Sequence, residues 1–375
     1  MDFAAIDMGN SLFQAIINGR EYLMPNALAR CTVDRVDYYD STQQYFIENL
    51  IVEINSHALQ HTHHQYYVGF SATEKENVTS VAKNNQKAYS DRSIILLLTM
   101  LAYDAVQDHK GETTIKQQYD VVSTALPTRQ VRRDREELRK KLQGEHTVTF
   151  NFVPGRSNIT VLINIVDVLV GIEGSTAYVA LIRDADTLKI KHEELMRETL
   201  LIADMGGDST DFVGVRNNKI VDGIEGEIFG VNTYLDRIIQ DVENRTGYRF
   251  PSRYSLEKKL ALGPERWKVV IDQEDVNITN CIEPHLIEMS EKFLDLLDQK
   301  RKHVALQEAK YYFCIGGPVK VAKNYIETEN QKRAKPMKLS FPEHLEQLNV
   351  LGLWILARAQ GIRNIQQEVA STKQV

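Results

Sequence analysis

The chain has 375 residues, 43% of them hydrophobic and 26% charged, with a formal net charge of −6. That length is long for one hydrophobic core and predicts two domains of ordinary globular composition. The acidic balance excludes a surface built to coat itself in nucleic-acid phosphates. Cys31, Cys281 and Cys314 are odd in number, far apart and without a CxxC pair, so neither a disulfide framework nor a structural zinc site is expected. A reducing cytoplasm is the expected compartment. The opening enters an apolar strand pattern at Phe3 and meets Asp7 almost at once, unlike a secretion signal. The longest apolar run, residues 94–102, is too short for a bilayer, so no membrane association is expected.

In chain order, residues 3–6 and 13–17 read as strands, and Asn18-Gly19 supplies a hairpin turn signal. Asp40 predicts the N-cap of a helix carrying Tyr45, Phe46, Leu50, Ile51, Ile54 and Ala58 at helical spacing. Residues 66–70 read as a strand, and Asp91 as the cap of a second helix over 94–105. A strand over 119–126 stops at Pro127. A charged helix over 128–143 and strands over 147–152 and 159–170 follow. Then the opening pattern returns. Leu200-Leu201-Ile202-Ala203 leads into Asp204-Met205-Gly206 as Ala4-Ala5-Ile6 leads into Asp7-Met8-Gly9. Each is followed by a polar loop, an apolar strand, an Asn-containing turn (Asn217-Asn218 in the second) and a third strand. The same parts in the same order predict an internal duplication. Helices over 231–243, near 255–262 and over 284–302 come next, and a buried strand over 311–315 ends in Gly316-Gly317-Pro318. The tail after Gln366 is polar and expected to fray. Strands alternating with helices give an α/β class.

The two Asp-Met-Gly loops are the candidate chemistry. A tight loop between strands aims several backbone N–H groups at one point, a nest for phosphate oxygens. Gly9, Gly206 and Gly207 permit close backbone approach. Asn10, Ser11, Asp208, Ser209 and Thr210 add side-chain donors. Asp7 and Asp204, at strand ends, suit Mg²⁺ held through water while it bridges phosphates, and Asp211 is a further candidate for metal or water. One such loop alone is an ordinary hairpin turn; the duplicated pair is what points to phosphate. Gly316, Gly317 and Pro318 would let a nucleoside lie on bare backbone, although such a turn is also routine between strand and helix. No GxxxxGK[ST] or GxGxxG is present, which removes the P-loop and dinucleotide-binding readings.

Together these segments resemble the actin, hexokinase and heat-shock-70 superfamily. Residues 3–14 and 200–213 resemble its two phosphate loops, 312–319 its adenosine loop, 170–181 (Gly171, Glu173, Gly174) and 348–359 (Asn349, Gly352) its two connecting helices. Within it the chain most resembles the bacterial ParM/StbA plasmid-segregation actins, which Thr124-Ala125-Leu126-Pro127-Thr128 also suggests. The resemblance implies two actin-like (ribonuclease H-like) domains, residues 1–196 with 352–375 and residues 197–351, with nucleotide in the cleft between them. It implies an ATPase with Mg²⁺ and ATP as cofactors, GTP left open, and Glu173 orienting the attacking water. Read locally, Glu173 is only an acid favoured in a helix's first turn. Glu257 and Lys258 match a region that meets ribose or base in relatives, and as isolated charges they suit a solvated face. Gln14 stands where many relatives have lysine, which removes a phosphate-facing charge. By resemblance the chain assembles with itself into a homopolymeric filament and moves DNA only indirectly, through a DNA-binding adaptor of the ParR type. The alternatives are a non-polymerising kinase of the same fold and a cell-shape filament of the MreB type. His57, His61, His63 and His64 read as a polar helix end rather than a metal site. The seven basic and three acidic residues between Arg129 and Lys141 read as a solvated, ion-paired helix.

Overall fold

Strands form where apolar runs meet a turn that few residues can make. In the computed structural model, which describes residues 1–31, 46–60, 64–73, 75, 78, 86–109, 111–151 and 158–372, Asn18 and Gly19 take φ of 51° and 82°. That is the left-handed pair a two-residue hairpin needs. It joins β2 (Leu12–Ile17) to β3 (Arg20–Pro25), after β1 (Phe3–Met8). The chain divides into two compact units, residues 1–189 with 349–375 and residues 190–348.

The first unit continues with β4 (Leu28–Arg30), β5 (Ile51–Ser56), β6 (Gln65–Val68), the single turn α1 (Phe70–Thr73), α2 (Asp91–Asp108) and β7 (Thr114–Leu126). Then come α3 (Thr128–Leu142), β8 (Gly144–Asn151), β9 (Ile159–Ile172) and α4 (Ser175–Ile182). Its nine strands run β3-β2-β1-β7-β9-β8-β5-β6-β4. β1, β7 and β9 are parallel neighbours, with Ile6 beside Thr124 and Thr124 beside Val170. Their carboxyl ends therefore open on one edge. α2 buries nearly its whole length, Ile94 through Ala102 included, which is why its apolar run is continuous rather than amphipathic.

The second unit holds α5 (Glu193–Arg197), β10 (Thr199–Met205), β11 (Thr210–Arg216), β12 (Lys219–Ile220), α6 (Asn232–Thr246) and α7 (Arg253–Leu260). β13 (Lys268–Ile271), β14 (Glu274–Asn277), α8 (Thr279–Arg301), β15 (Tyr311–Ile315), α9 (Gly317–Gln331) and β16 (Leu339–Ser340) complete it. Its main sheet runs β12-β11-β10-β15-β16. That repeats β3-β2-β1-β7-β9 strand for strand: two antiparallel pairings, then two parallel ones. Asn217 and Asn218, at φ 49° and 60°, make the second copy's turn. The chain then enters α10 (Leu348–Thr372).

Several local expectations are corrected. The helix expected from Asp40 to Ala58 is absent where the structure describes it. Phe46–Asn49 is one 3-10 turn, and Ile51–Ser56 is β5, paired on both sides with β6 and β8. Ile51 and Ile54 fit a helical stripe, but ladders on both sides outweigh local spacing. Asp40 and Tyr45 lie outside the described residues. Ser90, not Asp91, caps α2, accepting from the Ser93 N–H. β7 begins at Thr114, ahead of the expected start. Residues 170–172 belong to β9, so the connecting helix begins only at Ser175. α8 begins at Thr279 and runs through Pro284, which forfeits one backbone bond near the first turn rather than starting the helix. The tail stays helical to Thr372.

Candidate functional site

In the first unit the β1–β2 loop is held from behind. The Asn26 side-chain amide donates to the Gly9 carbonyl at 2.8 Å, and its backbone N–H to the Ser11 carbonyl at 2.8 Å. Because a trans peptide sets N–H opposite C=O, the Asn10 and Leu12 amides point away from Asn26. Asn26 is itself anchored by Arg92, which donates to its carbonyl at 2.9 Å; burial lowers the Arg92 guanidinium to about 10. A Cβ at Gly9 would lie 2.3 Å from the Leu12 carbonyl, so the loop admits only glycine there. Asp7 and Gln14 face each other across the β1–β2 ladder. Gln14 Oε1 is buried with no hydrogen-bond partner among the described residues.

Extending the register, Glu173 follows Ile172, the partner of Leu126, at the same edge as the loop. Two strand spacings, about 10 Å, separate them. Glu173 is buried and donates its N–H to the Leu126 carbonyl at 3.0 Å. Its carboxylate is ion-paired with Lys87. The turn continues through Gly174 at φ 77°, whose N–H donates to Asn349 Oδ1 at 3.1 Å, as does the Thr176 hydroxyl at 2.9 Å. α10 packs on this turn backbone to backbone: a Cβ at Gly352 would lie 1.8 Å from the Thr176 carbonyl.

In the second unit, Gly206 donates its N–H to the Ser209 carbonyl at 2.8 Å, closing the β10–β11 loop. The carbonyls of Gly206 and Gly207 accept from Val231 and Asn232, at 3.2 and 2.8 Å. The amides of Gly207 and Asp208 are thereby turned the other way. This is how a hairpin turn becomes an anion nest. Gly230 makes the approach possible, since its Cβ would fall 2.3 Å from the Gly207 carbonyl. Asn232 also donates to Asp208 Oδ1 at 2.9 Å. Thr210 is fully buried and its hydroxyl donates to the Phe229 carbonyl at 2.7 Å. Asp204 and Asp211 are ladder partners, and Asp204 is level with Ile315 on β15. Gly316 therefore abuts it: at φ 103°, its Cβ would meet the Met205 carbonyl at 2.2 Å and Asp204 Oδ1 at 2.8 Å. Gly317 has open space at its Cβ position, and Pro318 stands in the first turn of α9. Asp204, the Gly206–Thr210 loop and the Gly316–Pro318 turn thus share one sheet edge.

Glu257 and Lys258 lie on α7. Glu257 is half-buried, and burial pushes its carboxyl up to about 7 against the opposing charge of Arg253. Lys258 is exposed, its ammonium 4.7 Å from the Tyr254 ring centroid. Arg253 is held above its ordinary value first by hydrogen bonding to Asp236, against burial, and further by the charges of Asp236, Asp208 and Glu257.

A family model described as the N-terminal domain of actin-like proteins matches residues 5–175. A second, described as the Alp7A C-terminal domain, matches residues 199–337. The chain belongs to the actin-like proteins. The crystal structure of the actin-like protein Alp7A matches with a TM-score of 0.80 at 18% identity, covering 98% of this chain and 99% of that one. Bacillus thuringiensis ParM with ATP gives 0.72 at 18%, covering 97% and 99%. An archaeal actin homolog gives 0.67 at 16%, covering 96% and 100%. At such identities these likenesses speak for the actin-like fold in both units. No curated protein sequence matches the chain.

Two site features of this actin-like protein escape its sequence. Neither Lys87 nor Arg253 belongs to a sequence motif, and only tertiary packing brings Lys87 to Glu173 and Arg253 to Asp236. Among the described residues no group of three or more His, Cys, Asp or Glu could hold a metal. His57 instead stacks on His146, ring centroids 5.0 Å apart; His61 and His63 lie outside the described residues. Within the second unit, the two carboxylates paired across β10 and β11, Asp204 and Asp211, are oxygen donors of the kind that suit a hard cation keeping its waters. Among the described residues no helix is long and apolar enough to cross a membrane.

Proposed function

We propose that the protein is a nucleotide-dependent, filament-forming actin-like ATPase that segregates plasmid DNA in the cytoplasm. The observation that carries the reading is the duplicated hairpin loop, each copy with its amides turned outward by bonds to its carbonyls and with a carboxylate at the preceding strand end. The ParM of Bacillus thuringiensis was solved with ATP, ADP and AMPPNP, which supports ATP as the ligand here. Gly9, Asn10, Ser11 and Gln14 on one loop, and Gly206, Gly207, Asp208 and Ser209 on the other, take the phosphates. Thr210 braces the second loop through its hydroxyl. Gly316, Gly317, Pro318, Glu257 and Lys258 take the nucleoside.

Asp7, Asp204 and Asp211 would hold Mg²⁺, which would supply charge neutralisation at the phosphates. Glu173 orients the water that attacks the γ-phosphate. Nucleotide favours the assembly-competent form by binding it better, and a head-to-tail contact that does not close grows an open filament. An adaptor of the ParR type bound to a centromere-like site links filament to DNA, consistent with the net charge of −6, which disfavours direct binding.

The test is light scattering and pelleting of the purified chain with Mg-ATP and Mg-GTP. Scattering should rise above a threshold concentration with nucleotide, stay low without it, and decay as nucleotide is consumed. Asp204→Ala should lose Mg-dependent nucleotide affinity. A chain that binds nucleotide yet stays monomeric across both nucleotides and several salts would defeat the filament reading and leave a small-molecule kinase of the same fold. Unchanged affinity of Asp204→Ala would defeat the metal assignment.

A further inference from the structure

The Glu173 carboxylate is held by a residue from a distant part of the first unit. Lys87 and Glu173, 86 positions apart, form an ion pair whose side chains are only 8% and 10% exposed. Both ends are fixed through their backbones. Lys87 opens a one-turn 3-10 segment, Lys87–Tyr89. Its N–H donates to Gln130 Oε1 at 3.1 Å, and Lys141 donates to the Ala88 carbonyl at 3.2 Å while standing 4.9 Å from the Tyr89 ring centroid. Glu173 is fixed through its own N–H and through the bond from Gly174 to Asn349. The pair therefore joins two anchored turns rather than two free side chains. A carboxylate buried alone is driven toward its protonated form, because desolvation disfavours charge. An ammonium in hydrogen-bond contact reverses that preference and fixes the orientation of the carboxylate.

We propose that Lys87 is the positioning residue for nucleotide hydrolysis. It binds Glu173 through Oε1, fixes the orientation of its carboxylate, and leaves Oε2 to accept the hydrogen bond of the attacking water. The inference rests on the reading of Glu173 as the water-orienting group. In the step it serves, the water oxygen bonds to the γ-phosphorus. The bridging P–O bond breaks, and its electron pair leaves on the nucleoside diphosphate. One water proton stays on the released phosphate; the other passes by way of Glu173 to solvent. Lys87 touches neither nucleotide nor water, and acts only through the carboxylate.

The experiment uses the full chain and four variants: Lys87→Met, Lys87→Arg, Glu173→Gln, and Lys87→Met with Glu173→Gln. Calorimetry gives the affinity for Mg-ATP, and single-turnover phosphate release gives the rate for bound ATP. Lys87→Met should keep affinity within about threefold and slow phosphate release tenfold or more, on the order expected when a positioned proton acceptor is lost. Lys87→Arg should recover most of that rate, because the guanidinium restores the charge and the donor. The double variant should be no slower than Glu173→Gln alone. It leaves no buried charge unpaired, so it stays interpretable if Lys87→Met alone folds poorly. Parental phosphate release by Lys87→Met, with Glu173→Gln slow, overturns the role of Lys87 while the Glu173 reading stands. So does a double variant much slower than Glu173→Gln. A parental rate in Glu173→Gln instead overturns the reading of Glu173, and this proposal with it.

Discussion

The raised carboxyl of Glu257 has a measurable cost. Its ordinary value is 4.5, and in the folded chain burial carries it to about 7. Between those pH values the folded state keeps a proton that the unfolded chain has released. Stability therefore falls as pH rises through this window, and the loss is complete above pH 7. At 1.36 kcal/mol per pH unit the full loss is about 3 kcal/mol. Glu257→Gln has no such proton to lose. The variant's advantage over the parent should climb from near zero at pH 4.5 to about 3 kcal/mol at pH 8, roughly 6–12 °C in Tm for a unit of this size. Subtracting the parent's curve removes every other titrating group. Trp267, buried in the same unit, reports the unfolding by fluorescence once Trp354, which lies in the other unit, is replaced by Phe. Urea titrations at half-unit pH steps then give the difference directly. Parallel stability curves for variant and parent from pH 4.5 to 8 would refute the argument.

Gly316→Ala should destabilise the second unit by about 2–4 kcal/mol, combining a backbone conformation nearly reserved for glycine with the approach to the Met205 carbonyl. Trp267 fluorescence in urea checks it, and a shift under 1 kcal/mol would count against the geometry. Gly352→Ala drives a methyl into the Thr176 carbonyl and should cost the first unit about 3 kcal/mol or more. Trp354 fluorescence reads it, and parental stability would show that α10 can move aside.

The duplication was legible because its signals are local. Asn18-Gly19 and Asn217-Asn218 mark turns by residue type alone, and Asp7 and Asp204 precede their glycines at the same offset. Such features survive without knowledge of the sheet. The β5 strand was not legible, because Ile51 and Ile54 satisfy a helical stripe equally well. What decides is β8, more than eighty residues away, whose register with β5 runs from Asn151 to His146. Ser90 displaced Asp91 as cap because two adjacent residues both suit the role, and only backbone angles separate them. At the candidate site, Glu173 was reached by resemblance, whereas the Lys87 beside it was not reached at all. A lysine in a polar stretch carries no periodicity, and its burial depends on α3 supplying Gln130 and Lys141. Arg253 escaped for the same reason.

The close seat of α10 on α4 also sets an order of events during synthesis. The first unit is built from residues 1–189 and 349–375, so its last part leaves the ribosome after the whole second unit. Until then Ala5, Ile16 and Ala125 lack Val350 and Leu353, the residues that bury them, and the Ser123 hydroxyl lacks the Leu353 carbonyl it donates to. The second unit draws on no later segment and is free to fold as soon as it emerges. The nascent protein thus carries a finished second unit and a first unit whose Ala5, Ile16 and Ala125 are not yet covered by α10. A ribosome stalled near residue 345 would hold those residues open to solvent, and a chaperone that recognises apolar β-surface would find its target there.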